Sequence, residues 1–275
     1  MLAETRALHA NSTRHYQFLR QVCRSILADS NLRSAEPKPV AFGPFGELIM
    51  PYYVMGAIDT LDLFGLDELI IFSFYNANRG IYRRAVDVGA NLGLHSIVMA
   101  RCGFHVTAYE PDPVHFDLLA RNIALNKVTG IDPVKAAVSD HDGTMEFVRV
   151  KGNTTGSHLA GAKANPYGEL ERFPVTVKNF PASVDGADLV KIDAEGHETT
   201  ILRALPPQRW RNLDAILEVG TADNAAAILD HFRKLPVNLY SQKTGWSRVT
   251  ELSHMPASHR DGSLFITARH EMSWG

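Results

Sequence analysis

Residues 85–93 read Ala85–Val86–Asp87–Val88–Gly89–Ala90–Asn91–Leu92–Gly93. An apolar run holding one acid enters a turn with glycines at 89 and 93, and the residues from Leu94 to Arg101 then read as a helix. Glycine lets the main chain turn tightly and lets a ligand approach without a Cβ in the way. The first N–H groups of the helix point at whatever lies over the turn. A strand, turn and helix in this order form one half of a nucleoside site.

The same rhythm continues outward. Arg84–Val88, His105–Tyr109, Val134–Ser139, Leu189–Ile192, Ala215–Val219, Val237–Tyr240 and Ser263–Ala268 read as strands, and Pro113–Asn126, His197–Leu205 and Ala222–Lys234 as helices. Such alternation predicts an α/β domain, a parallel sheet with helices on both faces. Ligands of such sheets sit beyond the carboxyl ends of the strands. Asp142-Gly143 marks a turn before a strand over Thr144–Val150, and the glycine-rich stretch from Gly152 to Gly168 reads as a mobile loop carrying substrate contacts. Before this domain, residues 4–29 read as a helix, Val40–Ala41–Phe42 and Leu48–Ile49–Met50 as a short hairpin, and 61–76 as a second apolar helix or a pair of turns. The expected division is an N-terminal helical and hairpin cap over 1–80 and the main domain over 81–275.

The next strand ends in Tyr109–Glu110–Pro111, which puts Glu110 23 positions after Asp87. A carboxylate there can accept both hydrogen bonds of a ribose diol. A dinucleotide site asks for G-x-G-x-x-G, but Asn91 stands at the second glycine position and Leu94 at the third. The second glycine is where a pyrophosphate would crowd the main chain, and Asp87 would repel one. Asp87 would instead attract the ammonium of a methionine moiety. S-adenosyl-L-methionine has the ribose and the ammonium and no phosphate. The expected cofactor residues are Asp87, Gly89, Asn91, Gly93, His95, Glu110, Asp140 and Asp193, with Asp140 placed at the adenine.

Composition agrees with a globular enzyme: 275 residues, 45% hydrophobic, 28 basic against 30 acidic side chains and a net charge of -2. Without a basic surplus, nucleic acid is not expected as a partner. Cys23 and Cys102 have no metal-ligand spacing, residues 1–20 carry Glu4, Arg6, Arg14 and Arg20 where a signal peptide would be apolar, and no run is long enough to span a bilayer. The expectation is a cytoplasmic protein without a membrane partner, with a homo-oligomer left open.

The motifs resemble the FkbM-type methyltransferase family. The resemblance rests on Val86–Gly93, Tyr109–Pro113, Asn122–Asn126, Ala137–Asp140 with Gly143, Leu189–Glu198 and Leu217–Val219, about residues 80 to 220. Its most characteristic piece is Lys191–Ile192–Asp193–Ala194–Glu195–Gly196. The resemblance implies a class I methyltransferase (Rossmann-like) fold with a seven-stranded sheet, and methyl transfer to a hydroxyl of a sugar, glycan or natural product. His197 departs from it, since the family more often has a small residue there.

Methyl transfer needs the acceptor about 3 Å from the sulfonium carbon and benefits from a base. Asp193, at a strand end, is the first candidate for base or substrate anchor. Glu195, Glu218 and His158 are the other catalytic candidates, His158 because a loop histidine can deprotonate a hydroxyl on closure. Glu198 reads as a helix-terminal cap. Asp193, Glu195 and Glu218 are also the only set read as able to hold a divalent metal, an arrangement not favoured. Two rival readings are a nicotinamide-dependent oxidoreductase, which Asn91 opposes, and a non-catalytic nucleoside-binding protein.

Overall fold

The strands β1 (Val40–Ala41) and β2 (Glu47–Leu48) pair as a hairpin, after α1 (Arg14–Ala28) and before α2 (Leu66–Ala77). Then follow β3 (Arg84–Val88), α3 (Leu94–Arg101), β4 (His105–Tyr109), α4 (Pro113–Asn126), β5 (Ile131–Val134), β6 (Ala137–Ser139), β7 (Gly143–Lys151), β8 (His158–Leu159) and β9 (Glu169–Asn179). The chain ends with α5 (Phe180–Ser183), β10 (Leu189–Ile192), α6 (Glu198–Ala204), β11 (Asp214–Glu218), α7 (Ala222–Phe232), β12 (Asn238–Ser241), β13 (Ser247–Arg248) and β14 (Ser263–Thr267). This is a computed structural model, describing residues 2–34, 36–162 and 168–274.

The main sheet has the order β13-β12-β14-β11-β10-β3-β4-β5. The stretch β11-β10-β3-β4-β5 is parallel, whereas β14 and β12 run antiparallel to their neighbours. Eight strands stand where seven were expected; the addition is the two-residue edge strand β13. Successive residues feed opposite cores, as a period of two demands. Ala85, Leu189, Ile216 and Phe265 join α2 and α3 in one, while Val86, Val190, Leu217 and Leu264 join α6 and α7 in the other. Tyr16, Leu48 and Phe64 of the N-terminal segment belong to the first of these cores. Among the described residues, no helix is long and apolar enough to cross a membrane.

Three local expectations change. The expected helix over 4–29 breaks into a 3-10 turn, Ala3–Leu8, and α1, because Thr13 is extended and its hydroxyl caps the Tyr16 N–H at 3.1 Å. The segment 61–76, read as an apolar helix or a pair of turns, combines the two: a short turn over Asp62–Phe64 and then α2, with Gly65 extended between them. Val134–Ser139 is not one strand: β5 ends in the main sheet, and the chain turns at Lys135 and Ala136 so that β6 starts in a second sheet, order β6-β9-β7-β8. In that sheet β7 and β9 flank the glycine-rich stretch and β8 comes from within it; residues 163–167 of that expected loop lie outside the described residues. The strand β9 escapes a reading from sequence because it carries Pro174, which removes a ladder donor.

Candidate active site

The ends of the parallel strands are locked to one another by main-chain bonds. Gly89 and Ala90 donate to the Tyr109 carbonyl at 3.0 and 2.9 Å, Asp193 donates to Val88 at 3.0 Å, and Glu110 donates to Val134 at 3.1 Å. Over these tips opens a cleft of about 640 Å³. Its roof is made by residues 57–63 and 153–159. Thr154 ties the two roof segments together, donating its N–H to the Met55 carbonyl at 2.7 Å, and its hydroxyl lies 2.9 Å from His115 Nε2 on α4.

The turn after β3 is built by close approach. Gly89 has φ +75, and a Cβ on it would stand 1.9 Å from the Asp193 carbonyl oxygen. A Gly89→Ala protein should therefore lose cofactor binding and at least about 1–2 kcal/mol of stability, since left-handed backbone alone costs an alanine that much. Urea unfolding and a ligand titration measure both, and an alanine protein of wild-type stability and affinity would contradict this account of the turn. Asn91 and Glu195 hold φ of 51 and 50, non-glycine residues in the left-handed region on the turns after the neighbouring strands β3 and β10.

Glu110 is 5% exposed and lines the cleft. Its two oxygens accept the Asn91 N–H at 2.7 Å and the Asp112 N–H at 2.9 Å, so the carboxylate spans the tips of β3 and β4. Burial pushes its pKa up to about 8, against the pull of those two donors. Asp112 caps α4 by accepting the Val114 N–H at 2.8 Å. Arg149 of β7 grips it from behind with Nε and Nη2, each at 2.7 Å. Burial opposes the Asp112 charge, but those guanidinium bonds outweigh it and hold the carboxyl below its ordinary value.

Under the floor lies an ion cluster. The Lys191 ammonium stands 3.6 Å from Asp87 Oδ1, 3.5 Å from Asp193 Oδ2 and 3.3 Å from the Gly89 carbonyl. The Ser96 hydroxyl donates to Asp87 Oδ2 at 2.6 Å. Burial opposes the Lys191 charge, yet Asp193 and Asp87 prevail and its pKa is raised. Glu198, read as a helix cap, instead accepts the Ala194 and Gly196 N–H groups at 3.1 and 3.0 Å and so braces the turn before α6, whose N-terminus has no side-chain cap.

Of the residues expected at the site, Gly89, Asn91, Glu110, His158, Asp193, Glu195 and Glu218 line the cleft. Four expected cofactor contacts do not. Asp87 is fully buried beneath the floor, with Lys191 where the ligand's ammonium was expected. Gly93 packs under Leu119. His95 turns away toward α2, with Nδ1 3.0 Å from the Tyr75 hydroxyl and Nε2 2.6 Å from Glu68. Asp140 is displaced by the turn at Lys135 into the second sheet, where it is exposed and bonded to Ser139 and His141. His158 is buried in β8 rather than free in a loop, its Nδ1 3.0 Å from the Gly156 carbonyl.

Asp193 and Glu218 stand on adjacent tips, but Lys191 faces the first and His259 Nδ1 lies 3.1 Å from the second. Among the described residues no group of three or more His, Cys, Asp or Glu side chains is arranged to hold a metal ion. The lining also includes Asp62, Glu68, His115 and His259, which sequence reasoning did not assign to the site, and His197, which it singled out only as a departure from the family pattern. His197 Nε2 lies 2.8 Å from the Ser139 hydroxyl, and burial lowers its pKa. No local pattern marks these residues, because separate elements deliver them.

The sheet order and a nucleoside-sized cleft over parallel strand tips define the class I, Rossmann-like methyltransferase fold. The methyltransferase FkbM domain model matches residues 87–234, and the chain belongs to that family. It is similar to a protein named methyltransferase sdnD from Sordaria araneosa, 28% identical over 158 residues that cover 46% of this chain and 61% of that one. It is also similar to a hexuronic acid methyltransferase, AglP, from Haloferax volcanii, 29% identical over 121 residues that cover 43% of this chain and 48% of that one. The chain thus spans roughly half to three fifths of the curated relatives it matches. Among solved structures, a METTL16 methyltransferase domain aligns with TM-score 0.48 at 13% identity, covering 91% of this chain and 81% of that one. Cofactor-bound Rv0187 from MTB aligns with TM-score 0.41 at 14% identity, covering 93% and 96%.

Proposed function

We propose that the chain transfers a methyl group from S-adenosylmethionine to a hydroxyl of a sugar, glycan or small metabolite. The observation that carries the reading is Glu110, a carboxylate bridging two strand tips and facing a cleft whose described lining contains no lysine or arginine. A ribose diol suits that carboxylate, and a pyrophosphate would meet the lining's carboxylates with no lysine or arginine to offset them. This weighs against a nicotinamide cofactor. The residues fit the group: Glu110 for the ribose, the 89–91 main chain for the methionine end, and Ala136 to Val138 as an apolar wall for the adenine.

Bound S-adenosylmethionine supplies a sulfonium methyl, the electrophile of the reaction. The protein's part is to orient the acceptor, exclude water and take a proton. Asp62, Glu68, Asp193, Glu195 and Glu218 line the cleft, and carboxylates accept hydrogen bonds from sugar hydroxyls. The Haloferax volcanii relative's name points to a sugar acceptor as well.

The test is transfer from labelled S-adenosylmethionine to a panel of neutral sugars, amino sugars, hexuronates and hydroxylated small metabolites. Binding without transfer to any of them would favour a non-catalytic nucleoside protein. With an acceptor in hand, Asp193→Asn should lower turnover about 100-fold or more while cofactor affinity changes less than about threefold, because Asp193 is assigned to anchoring the acceptor hydroxyl. Equal turnover in both proteins would remove Asp193 from the reaction.

A further inference from the structure

The strand β14 runs antiparallel to β11, with Ser263 beside Glu218. The loop ahead of β14 therefore arrives at the carboxyl end of the parallel strands. His259 sits in that loop, lines the cleft, and lies outside the span that the family model matches. Its Nδ1 is 3.1 Å from Glu218 Oε1, and its side chain is 57% exposed, with the Cε1–Nε2 edge lying beside Gly220.

The ring's place is built. Asp261 accepts the Ala257 N–H at 2.9 Å and pairs with Lys243 at 3.7 Å. The Asn11 side chain donates to the Arg260 carbonyl at 2.6 Å. Gly220 leaves the space: a Cβ there would stand 2.8 Å from His259 Cε1.

We infer that Glu218 and His259 form a dyad in which His259 Nε2 takes the proton of the acceptor hydroxyl. The inference rests on the methyltransferase reading. Glu218 accepts the Nδ1–H, which fixes the tautomer that leaves a lone pair on Nε2. In the step, the acceptor O–H bond breaks and an N–H bond forms at Nε2. The oxygen's electron pair forms the bond to the methyl carbon as the sulfur–carbon bond breaks, with its electrons left on sulfur. The imidazolium, paired with Glu218, later returns its proton to water. Asp193 is the weaker base, since the Lys191 ammonium faces it.

The groups facing the ring are Glu218 on β11 and Asp193 and Glu195 on the turn after β10. The Glu218 hydrogen bond outweighs burial and, with those charges, pushes His259 up to about 9. Turnover should therefore climb as pH rises toward that value.

The test compares the full-length protein with His259→Gln, Glu218→Gln and Gly220→Ala. Without any acceptor and above about pH 9, nitrogen-15 NMR of the imidazole should show the Nδ1–H tautomer, and the His259 titration should move to lower pH in Glu218→Gln. An unmoved titration would overturn the dyad. With the acceptor from the panel, His259→Gln should lose about 100-fold or more in kcat at unchanged KM and unchanged affinity for S-adenosylhomocysteine. A His259→Gly protein should regain part of that rate with added imidazole, and Gly220→Ala should lose rate with the histidine still present. Turnover of His259→Gln within twofold of wild type would sink the base role alone. A wild-type protein that fails to bind S-adenosylhomocysteine would instead sink the methyltransferase reading.

Discussion

A Lys191→Met protein is expected to lose about 3–5 kcal/mol of stability in urea unfolding, the cost of leaving a buried charge without its partner. Asp87 is fully buried, and its surroundings supply the Ser96 hydroxyl and the Lys191 ammonium. Methionine replaces the lysine's length but not its charge, so Asp87 must either remain ionised in an apolar core or take up a proton. The loss is a large share of the about 5–15 kcal/mol that holds a domain folded. Pairing Lys191→Met with Asp87→Asn should return much of it, because the stranded charge is gone, and the double-mutant cycle isolates the interaction. A single mutant within about 1 kcal/mol of wild type would show that Asp87 does not need the ammonium.

The second large effect is on the ligand. Glu110→Gln should weaken S-adenosylhomocysteine binding by about 10- to 150-fold, the equivalent of roughly 1.5–3 kcal/mol for a charge-assisted hydrogen bond. The amide keeps one acceptor oxygen, but its NH2 must face the N–H of Asn91 or of Asp112, where both carboxylate oxygens now accept. The same residue sets a pH dependence. Burial holds the free carboxyl's pKa up to about 8, so below that value much of the population is protonated. A ribose diol donates to the carboxylate, so binding expels that proton. Affinity should rise as pH approaches about 8 and level off above it, with proton release seen as a buffer-dependent calorimetric heat. A pH-independent affinity with no proton release would mean that Glu110 does not meet the ribose.

What could be read from the sequence follows chain distance. The turn at Gly89 and the acid at Glu110 are local features at the ends of apolar strands, and the structure sets both on the cleft. His95 shows the limit of that reasoning: the second residue of α3 is close to the turn in sequence, but the helix aims it back at Tyr75 and Glu68. Asp140 is expected at the adenine on the premise of one continuous strand, but the turn at Lys135 carries it away, and Ala136, Ala137 and Val138 line the cleft where it does not. Arg149 reads as one charge in an alternating strand, and only the second sheet carries it to Asp112. His259 lies 41 positions from Glu218, and no periodicity connects them; an antiparallel strand does.

The most direct measurement is a calorimetric titration of the unaltered protein with S-adenosylhomocysteine, set against a titration with NADH. A cleft built for a phosphate-free adenosine gives saturable binding to the first and none to the second. Tight NADH binding, or no heat with S-adenosylhomocysteine at any pH from 7 to about 9, would contradict the assignment of the cleft.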